Sequence, residues 1–289
     1  MDKYIIEGLD TTKIIQPIIH RENGNYLVSS TKLQYLIDNN INKDKFVKPK
    51  DLIILTVSNY KDTTLFEKSL QHLGIKDYVI LGEDNIKWNY YYKIKWIYDY
   101  LNKNHKEKYV MYVDARDAII QDDPQKILDL FLKQKDCKLL FSATEFEGFY
   151  FKRNNWWHDD VKKLLKMGND PNRSYLEYIK KNKSNNLPVY LNSGFFIGEI
   201  EYIKNFLLHI DKNTPTSVKF NISGGDQQLI TNYLPLFPEI KVDIYFEFCF
   251  RNTFRKNHIR CWNPQHICPY KKVNNNIKND NSENDKNDS

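Results

Sequence analysis

Between residues 51 and 144 the chain alternates short apolar runs with stretches whose apolar positions recur every three or four residues. DLIILTVSNY (51–60) is an apolar run bounded by polar residues and predicts a buried strand. Residues 61–74 place Leu65, Phe66, Leu70 and Leu73 on one side of a helix, with Gly74 as its stop. YVILG (78–82) predicts a second strand, 90–104 an aromatic-rich helix and 108–113 a third strand. PQKILDLFLKQ (124–134) opens on a proline, as helices often do, and CKLLFSA (137–143) predicts the fourth strand. Strand–helix alternation of this kind predicts α/β layers around a mostly parallel sheet. A polar, aromatic stretch follows at 145–188, with one helix expected near 159–167. Regular elements then resume at VYLNSGFFIG (189–198), IEYIKNFLLHI (200–210), GDQQLITNYL (225–234) and KVDIYFEFCF (241–250).

With 289 residues and 41% apolar content, the chain can bury one large core or two modest ones. A net charge of +6 over 28% charged residues is mild, and no basic stripe marks a nucleic-acid binder. The opening MDKYIIEGLD lacks the apolar stretch of a signal peptide, and no run approaches the roughly 18 apolar residues of a membrane helix. A soluble protein without a membrane partner is expected. Cys137, Cys249, Cys261 and Cys268 form no C-x-x-C pair, which argues against a zinc ribbon. Reduced core cysteines in a cytoplasmic protein are the simpler reading. The polar, low-complexity residues 273–289 are expected to be disordered, and 39–50 (NNINKDKFVKPK) reads as a linker ending in a proline turn.

The chemistry concentrates in YVMYVDARDAII (109–120), where a buried strand ends in Asp114, with Arg116 and Asp117 close behind. Desolvating two carboxylates requires compensation. Ligands of open parallel sheets collect at the carboxyl ends of the strands, and a carboxylate pair there suits a hard divalent cation able to bridge a diphosphate. An isolated D-x-x-D can equally be a strand-end aspartate capping the next turn beside a solvated one. By the same standard Asn192 is by default a turn former, Asp226 a helix N-cap, and Lys93 a solvated helix lysine.

The order ILTVSNY, KIKW, MYVDARDAI, LFSATEF, YLNSGFFIG, DQQL over roughly residues 50–250 resembles the glycosyltransferase domain of the procollagen lysyl hydroxylase and collagen glycosyltransferase family, a GT-A-type fold. The resemblance implies a Rossmann-type nucleotide-binding sheet with flanking helices. It implies that Thr56 and Trp88 lie against the nucleotide of a UDP-sugar and Lys93 near its sugar and phosphates. Asp114 and Asp117 match the metal-binding D-x-x-D, with Arg116 where the family usually has tyrosine. Asn192 and Ser193 match a turn in which Gly194 lets the backbone approach the sugar, and Asp226 and Gln228 match part of an acidic D-D-Q-L segment facing the reacting centre. Gln227 departs from the aspartate of that segment.

The family completes its metal site with histidine in an H-x-N-G segment after the D-D-Q-L helix. His258 and His266 are not followed by Asn-Gly, whereas the N-terminal QPIIHRENGNYLVSSTKLQYL (16–36) resembles that segment, including the downstream Thr-Lys-Leu, with one extra residue between histidine and asparagine and a longer gap before Thr31. Read alone, His20 is an ordinary strand-end histidine next to an Asn-Gly turn. The chain is therefore expected to be circularly permuted, with a metal- and diphosphate-binding segment at 1–38, the linker 39–50, a GT-A-like domain at 51–272 and the tail 273–289. Domain termini often lie close together, and the linker could span up to ~40 Å at about 3.3 Å per residue. On this reading His20 is the third metal ligand, Asn23 and Gly24 hold the phosphate-facing turn, and Lys32 binds the diphosphate.

The implied activity is a metal-dependent transfer, with Mn²⁺ or another divalent cation. It would move glucose or galactose from UDP-glucose or UDP-galactose to hydroxylysine or galactosyl-hydroxylysine of a collagen-like protein. Asp226, Gln228 and Asn192 are the expected catalytic residues, and Trp156 and Trp157 are placed to cover the acceptor side. A homodimer is compatible with the sequence. Two alternatives stand beside this: a transferase of the same fold with another acceptor, and a silent nucleotide-sugar-binding module that has lost chemistry at Gln227.

Overall fold

The computed structural model describes residues 3–6, 9–21, 27–82, 87–103, 105–144, 190–220, 225–243, 247–255 and 258–260. It is a mixed α/β fold in which a six-stranded mixed sheet is flanked by helices, compatible with a Rossmann-like architecture. β4 (Leu52–Val57), which pairs with the edge strand on one side, has all six of its residues buried, as expected of a strand covered on both faces. We number the strands and helices in chain order. β1 (Ile5–Ile6) and β2 (Leu9–Asp10) form a small antiparallel pair, followed by β3 (Ile18–Arg21) and α1 (Leu27–Asp38). After β4 come α2 (Leu65–His72), β5 (Val79–Leu81), α3 (Tyr90–Leu101), β6 (Tyr109–Val113), β7 (Ala118–Ile120), α4 (Pro124–Leu132) and β8 (Leu139–Thr144). Beyond residue 189 lie β9 (Tyr190–Glu199), α5 (Ile200–Asn213), α6 (Thr216–Lys219), α7 (Gly225–Tyr233), β10 (Ile240–Asp243), β11 (Cys249–Arg255) and β12 (His258–Arg260).

The large sheet runs β10-β8-β9-β6-β4-β5, and β9 is antiparallel to both neighbours while the other pairings are parallel. A second sheet runs β12-β11-β3-β7, with β3 parallel to β11 and antiparallel to β7. The turn 114–117 leads from β6 of the first sheet into β7 of the second, so both of its carboxylates lie at the junction of the two sheets.

Local sequence explains the helix boundaries. Thr64 and Glu67 close a reciprocal capping box on α2, Asn89 caps α3, and Asp123 caps α4 ahead of Pro124. Apolar stripes of α3, α5 and α7 cover one face of the large sheet through Tyr91, Ile97, Phe206 and Leu229. Phe66, Leu70, Ile127 and Phe131 of α2 and α4 fill the other. Each such fully buried side chain contributes about 1.5–3 kcal/mol. Residues 39–50 are strapped to the end of α2 by Asp44 N–H to the His72 carbonyl and Phe46 N–H to the Leu73 carbonyl. Asn40, Asn42 and Asp44 take left-handed φ there, which short polar side chains tolerate.

The run 241–250 does not form one element. β10 ends at Asp243 in the large sheet, and the chain restarts as β11 in the small one. The buried Asp243 carboxylate accepts backbone N–H bonds from Glu247, Phe248 and Cys249 at 2.8–3.1 Å, a polar corner inside an apolar run that period alone does not reveal. Asn23, Gly24, Trp156, Trp157, His266, the helix expected near 159–167 and the tail lie outside the described residues.

Candidate metal centre

Two segments far apart in sequence meet at the carboxyl end of β6. β3 delivers His20 opposite Ala118, and the turn after β6 delivers Asp114 and Asp117. His20 Nε2 lies 3.3 Å from Asp114 Oδ2 and 3.5 Å from Asp117 Oδ1. One ligand atom from each residue falls within 4.8 Å of the others, and this His/Asp/Asp group could hold a divalent metal ion. The imidazole is buried, but the side chain of Asp114 keeps 30% of its surface open and that of Asp117 15%. The cluster therefore has one solvent-facing side through which a ligand can enter.

The backbone builds this geometry by a register shift. Ser142 of β8 pairs with Asn192 of β9, yet Phe141 pairs with Phe196, so residues 193–195 bulge away from β8. Such bulges re-aim chain at functional sites. Here the bulge carries the Gly194 carbonyl to the Asp114 N–H at 2.8 Å and the Ser193 carbonyl to Lys93 Nζ at 2.9 Å. A Cβ on Gly194 would sit 2.1 Å from His20 Cε1, so the glycine makes room for the imidazole.

Lys93, one turn into α3, is buried with Nζ 3.0 Å from Asp114 Oδ1 and 2.9 Å from Asp226 Oδ2. The Asp226 contact is an ion pair lying off the hydrogen-bonding directions of that oxygen. Tyr112 donates its hydroxyl to Asp114 Oδ1 at 2.5 Å, and its ring lies 4.4 Å from Lys93 Nζ. Burial alone would raise the Asp114 pKa, but Lys93 and His20 hold it well below the usual carboxylate range. Burial alone would lower the His20 pKa, yet Asp117 and Asp114 push it up to about 9. Burial likewise opposes the charge on Lys93, and Asp114 and Asp226 outweigh it and raise its pKa. His20 Nδ1 has no hydrogen-bond partner among the described residues.

The remaining expected residues divide. Asn192 donates Nδ2 to Gln227 Oε1 at 2.7 Å, and Ser193 N–H reaches the same oxygen at 3.3 Å, so α7 is fastened to the β9 bulge beside Asp226. Gln227 accepts here as a carboxylate would, and Gln228 is buried in the same helix turn. Thr56 is buried and spends its hydroxyl on the Val113 carbonyl at 2.6 Å, joining β4 to β6. Trp88 is 36% exposed, edge-on to Tyr90, whose ring in turn covers Gly225 next to Asp226. Lys32 is buried on α1 and donates to the Thr12 carbonyl at 3.0 Å. Burial lowers its pKa to about 8 despite nearby Asp10, and none of these partners belongs to the cluster.

Tyr112 and Ser142 were not singled out from sequence. Tyr112 was legible, because residues i and i+2 of a strand share a face and Asp114 follows it by two. Ser142, which donates to Asn192 Oδ1 at 3.0 Å, depends on the β8–β9 register shift, which no local pattern encodes.

No protein-family model matches the chain, and no curated protein matches it significantly. Among the described residues, no helix is long and apolar enough to cross a membrane.

Proposed function

We propose that the chain is a metal-dependent GT-A-type glycosyltransferase, circularly permuted relative to the collagen glycosyltransferase family it resembles. It would transfer glucose or galactose from a UDP-sugar to hydroxylysine or galactosyl-hydroxylysine of a collagen-like protein. The observation carrying this reading is the meeting of His20, from the N-terminal strand, with Asp114 and Asp117 at the carboxyl end of β6. The relocated Asn-Gly-bearing segment was singled out for that position by its sequence.

His20, Asp114 and Asp117 would hold Mn²⁺, whose contribution when bound is Lewis-acid stabilisation of charge on the departing UDP. Lys93 keeps Asp114 ionised and ties it to Asp226. Asp226 would orient the acceptor hydroxyl and take up its proton as the sugar–phosphate bond breaks, UDP departs and the new glycosidic bond forms. Asn192, locked by Gln227 and Ser142, fixes the bulge on which His20 and Lys93 both rest.

The test is UDP release from UDP-glucose and UDP-galactose, with Mn²⁺ or EDTA, with and without a hydroxylysine-containing collagen peptide. Metal-dependent release that rises with peptide is the expected outcome, and it identifies the donor. Release that responds only to other acceptors points to a transferase with a different substrate. A second reading, a silent nucleotide-sugar-binding module, draws on the neutral amide of Gln227 in the D-D-Q-L-like segment. UDP binding without any release would favour it.

A further inference from the structure

The turn 114–117 contains one charged side chain outside the metal cluster. Arg116 is exposed, while its neighbours Asp114 and Asp117 face His20. The turn itself is pinned: the Ala115 carbonyl accepts Phe66 N–H at 3.1 Å, and Ser29 Oγ donates to the Asp117 carbonyl at 2.8 Å. Movement here is therefore left to the arginine side chain. Its guanidinium donates to the Tyr60 hydroxyl at 3.0 Å and lies 5.4 Å from the Tyr60 ring centre. Tyr60 is 50% exposed on the segment after β4, so the pair spans the carboxyl ends of adjacent parallel strands. That crevice is where open α/β sheets take their ligands.

A divalent cation held by Asp114, Asp117 and a neutral His20 carries no net charge with its ligands. A diphosphate arriving there brings negative charge that needs another cation. Lys93 is committed to Asp114 and Asp226, and Lys32 to the Thr12 carbonyl. Arg116 engages Tyr60 through one of its five N–H donors. An exposed cation–aromatic contact is worth only about 0.5–1 kcal/mol, so a ligand displaces it readily.

We propose that Arg116 is the phosphate-holding cation of this site, parked on Tyr60 until a metal-bound diphosphate draws it across the crevice. The inference rests on the metal-and-diphosphate reading above and names the residue that completes it. A guanidinium meets two phosphate oxygens with two parallel N–H bonds, which a lysine cannot reproduce.

The experiment titrates the full chain by calorimetry with Mn²⁺ alone, then with pyrophosphate, UDP and uridine at saturating Mn²⁺. Wild type is compared with Arg116→Ala, Arg116→Lys and Tyr60→Phe, whose folding is checked by thermal melts. Arg116→Ala is expected to bind Mn²⁺ within about twofold of wild type and to bind pyrophosphate and UDP at least about tenfold more weakly. Arg116→Lys falls between, and Tyr60→Phe, lacking the parking bond, binds pyrophosphate at least as tightly as wild type. Unchanged pyrophosphate and UDP affinity in Arg116→Ala overturns the proposal while leaving the metal site standing. Equal losses for uridine and UDP overturn it in favour of a base-stacking platform. Absence of any metal-dependent pyrophosphate or UDP binding in wild type removes the diphosphate reading itself, and this proposal with it.

Discussion

Two aspartates stand at the carboxyl end of the same sheet and meet opposite fates. Asp243, at the end of β10, is buried against the backbone N–H groups of three residues that follow it closely. Burial dominates those bonds and lifts its pKa to about 7. Asp114, just past β6, is met by side chains from β3, α3 and β6 itself, and Lys93 and His20 overcome burial to keep it ionised. One carboxylate is satisfied locally and closes a corner of the fold. The other is satisfied by distant charged groups and keeps an open side. The difference teaches that the position of an acid at a strand end says little about function. What surrounds it, backbone donors alone or buried charged side chains beside an open face, separates a structural acid from a site.

The comparison breaks most sharply at His20. His20→Ala is expected to weaken Mn²⁺ binding by more than about a hundredfold, since even removal of groups behind the ligands commonly costs 10–100-fold. Calorimetry on that variant reads the loss, and retention of wild-type affinity would dissolve the metal centre. A metal also requires the neutral imidazole, which is protonated up to about pH 9 in the metal-free protein. Mn²⁺ affinity should therefore rise about tenfold per pH unit between pH 6 and 8. A flat profile would show that His20 is not a ligand.

Asp243→Ala should leave Mn²⁺ affinity within twofold while lowering stability by about 2–4 kcal/mol, because three backbone donors lose their acceptor. Urea unfolding and metal titration of one preparation decide it. Both raised pKa values contribute stability that is present at low pH and lost as pH rises, but in separate windows. For Asp243 the loss runs from about pH 4 to 7, and for metal-free His20 from about 6.5 to 9. Asp243→Asn should flatten only the first window and His20→Gln only the second.

Gly194→Ala sharpens the contrast at smaller cost. Its methyl would overlap the imidazole, so a loss of about 1–3 kcal/mol in stability is expected, together with weakened metal binding. Equal Mn²⁺ affinity in the folded variant would show that the ring has room to move. The smallest effect belongs to Thr64→Ala, which opens the capping box of α2 for about 1 kcal/mol without touching either aspartate.

Much of this was readable along the chain. Apart from the three-residue β7, which was not predicted, apolar runs and helical spacing located the elements from β4 to α5 to within a few residues, because burial, caps and Pro124 act locally. Asp114 and Asp117 were identifiable at the end of a buried strand, and His20 by the motif around it. The split of 241–250 was not, since an apolar run looks the same whether it continues in one sheet or turns into a second. The Lys93 ion pairs, the Gly194–His20 contact and the Arg116–Tyr60 pair were likewise out of reach, because each joins segments far apart in sequence.

Sequence pattern alone placed most strands and helices between residues 51 and 210 and marked the residues with the chemistry for a site. Side-chain pattern and backbone propensity settle those matters over a few residues. Only the tertiary structure decided that His20 faces Asp114 and Asp117, that Lys93 is buried between two carboxylates and that Lys32 is engaged elsewhere. Those outcomes depend on strand order and on the bulge in β9, which arise from packing the two sheets together.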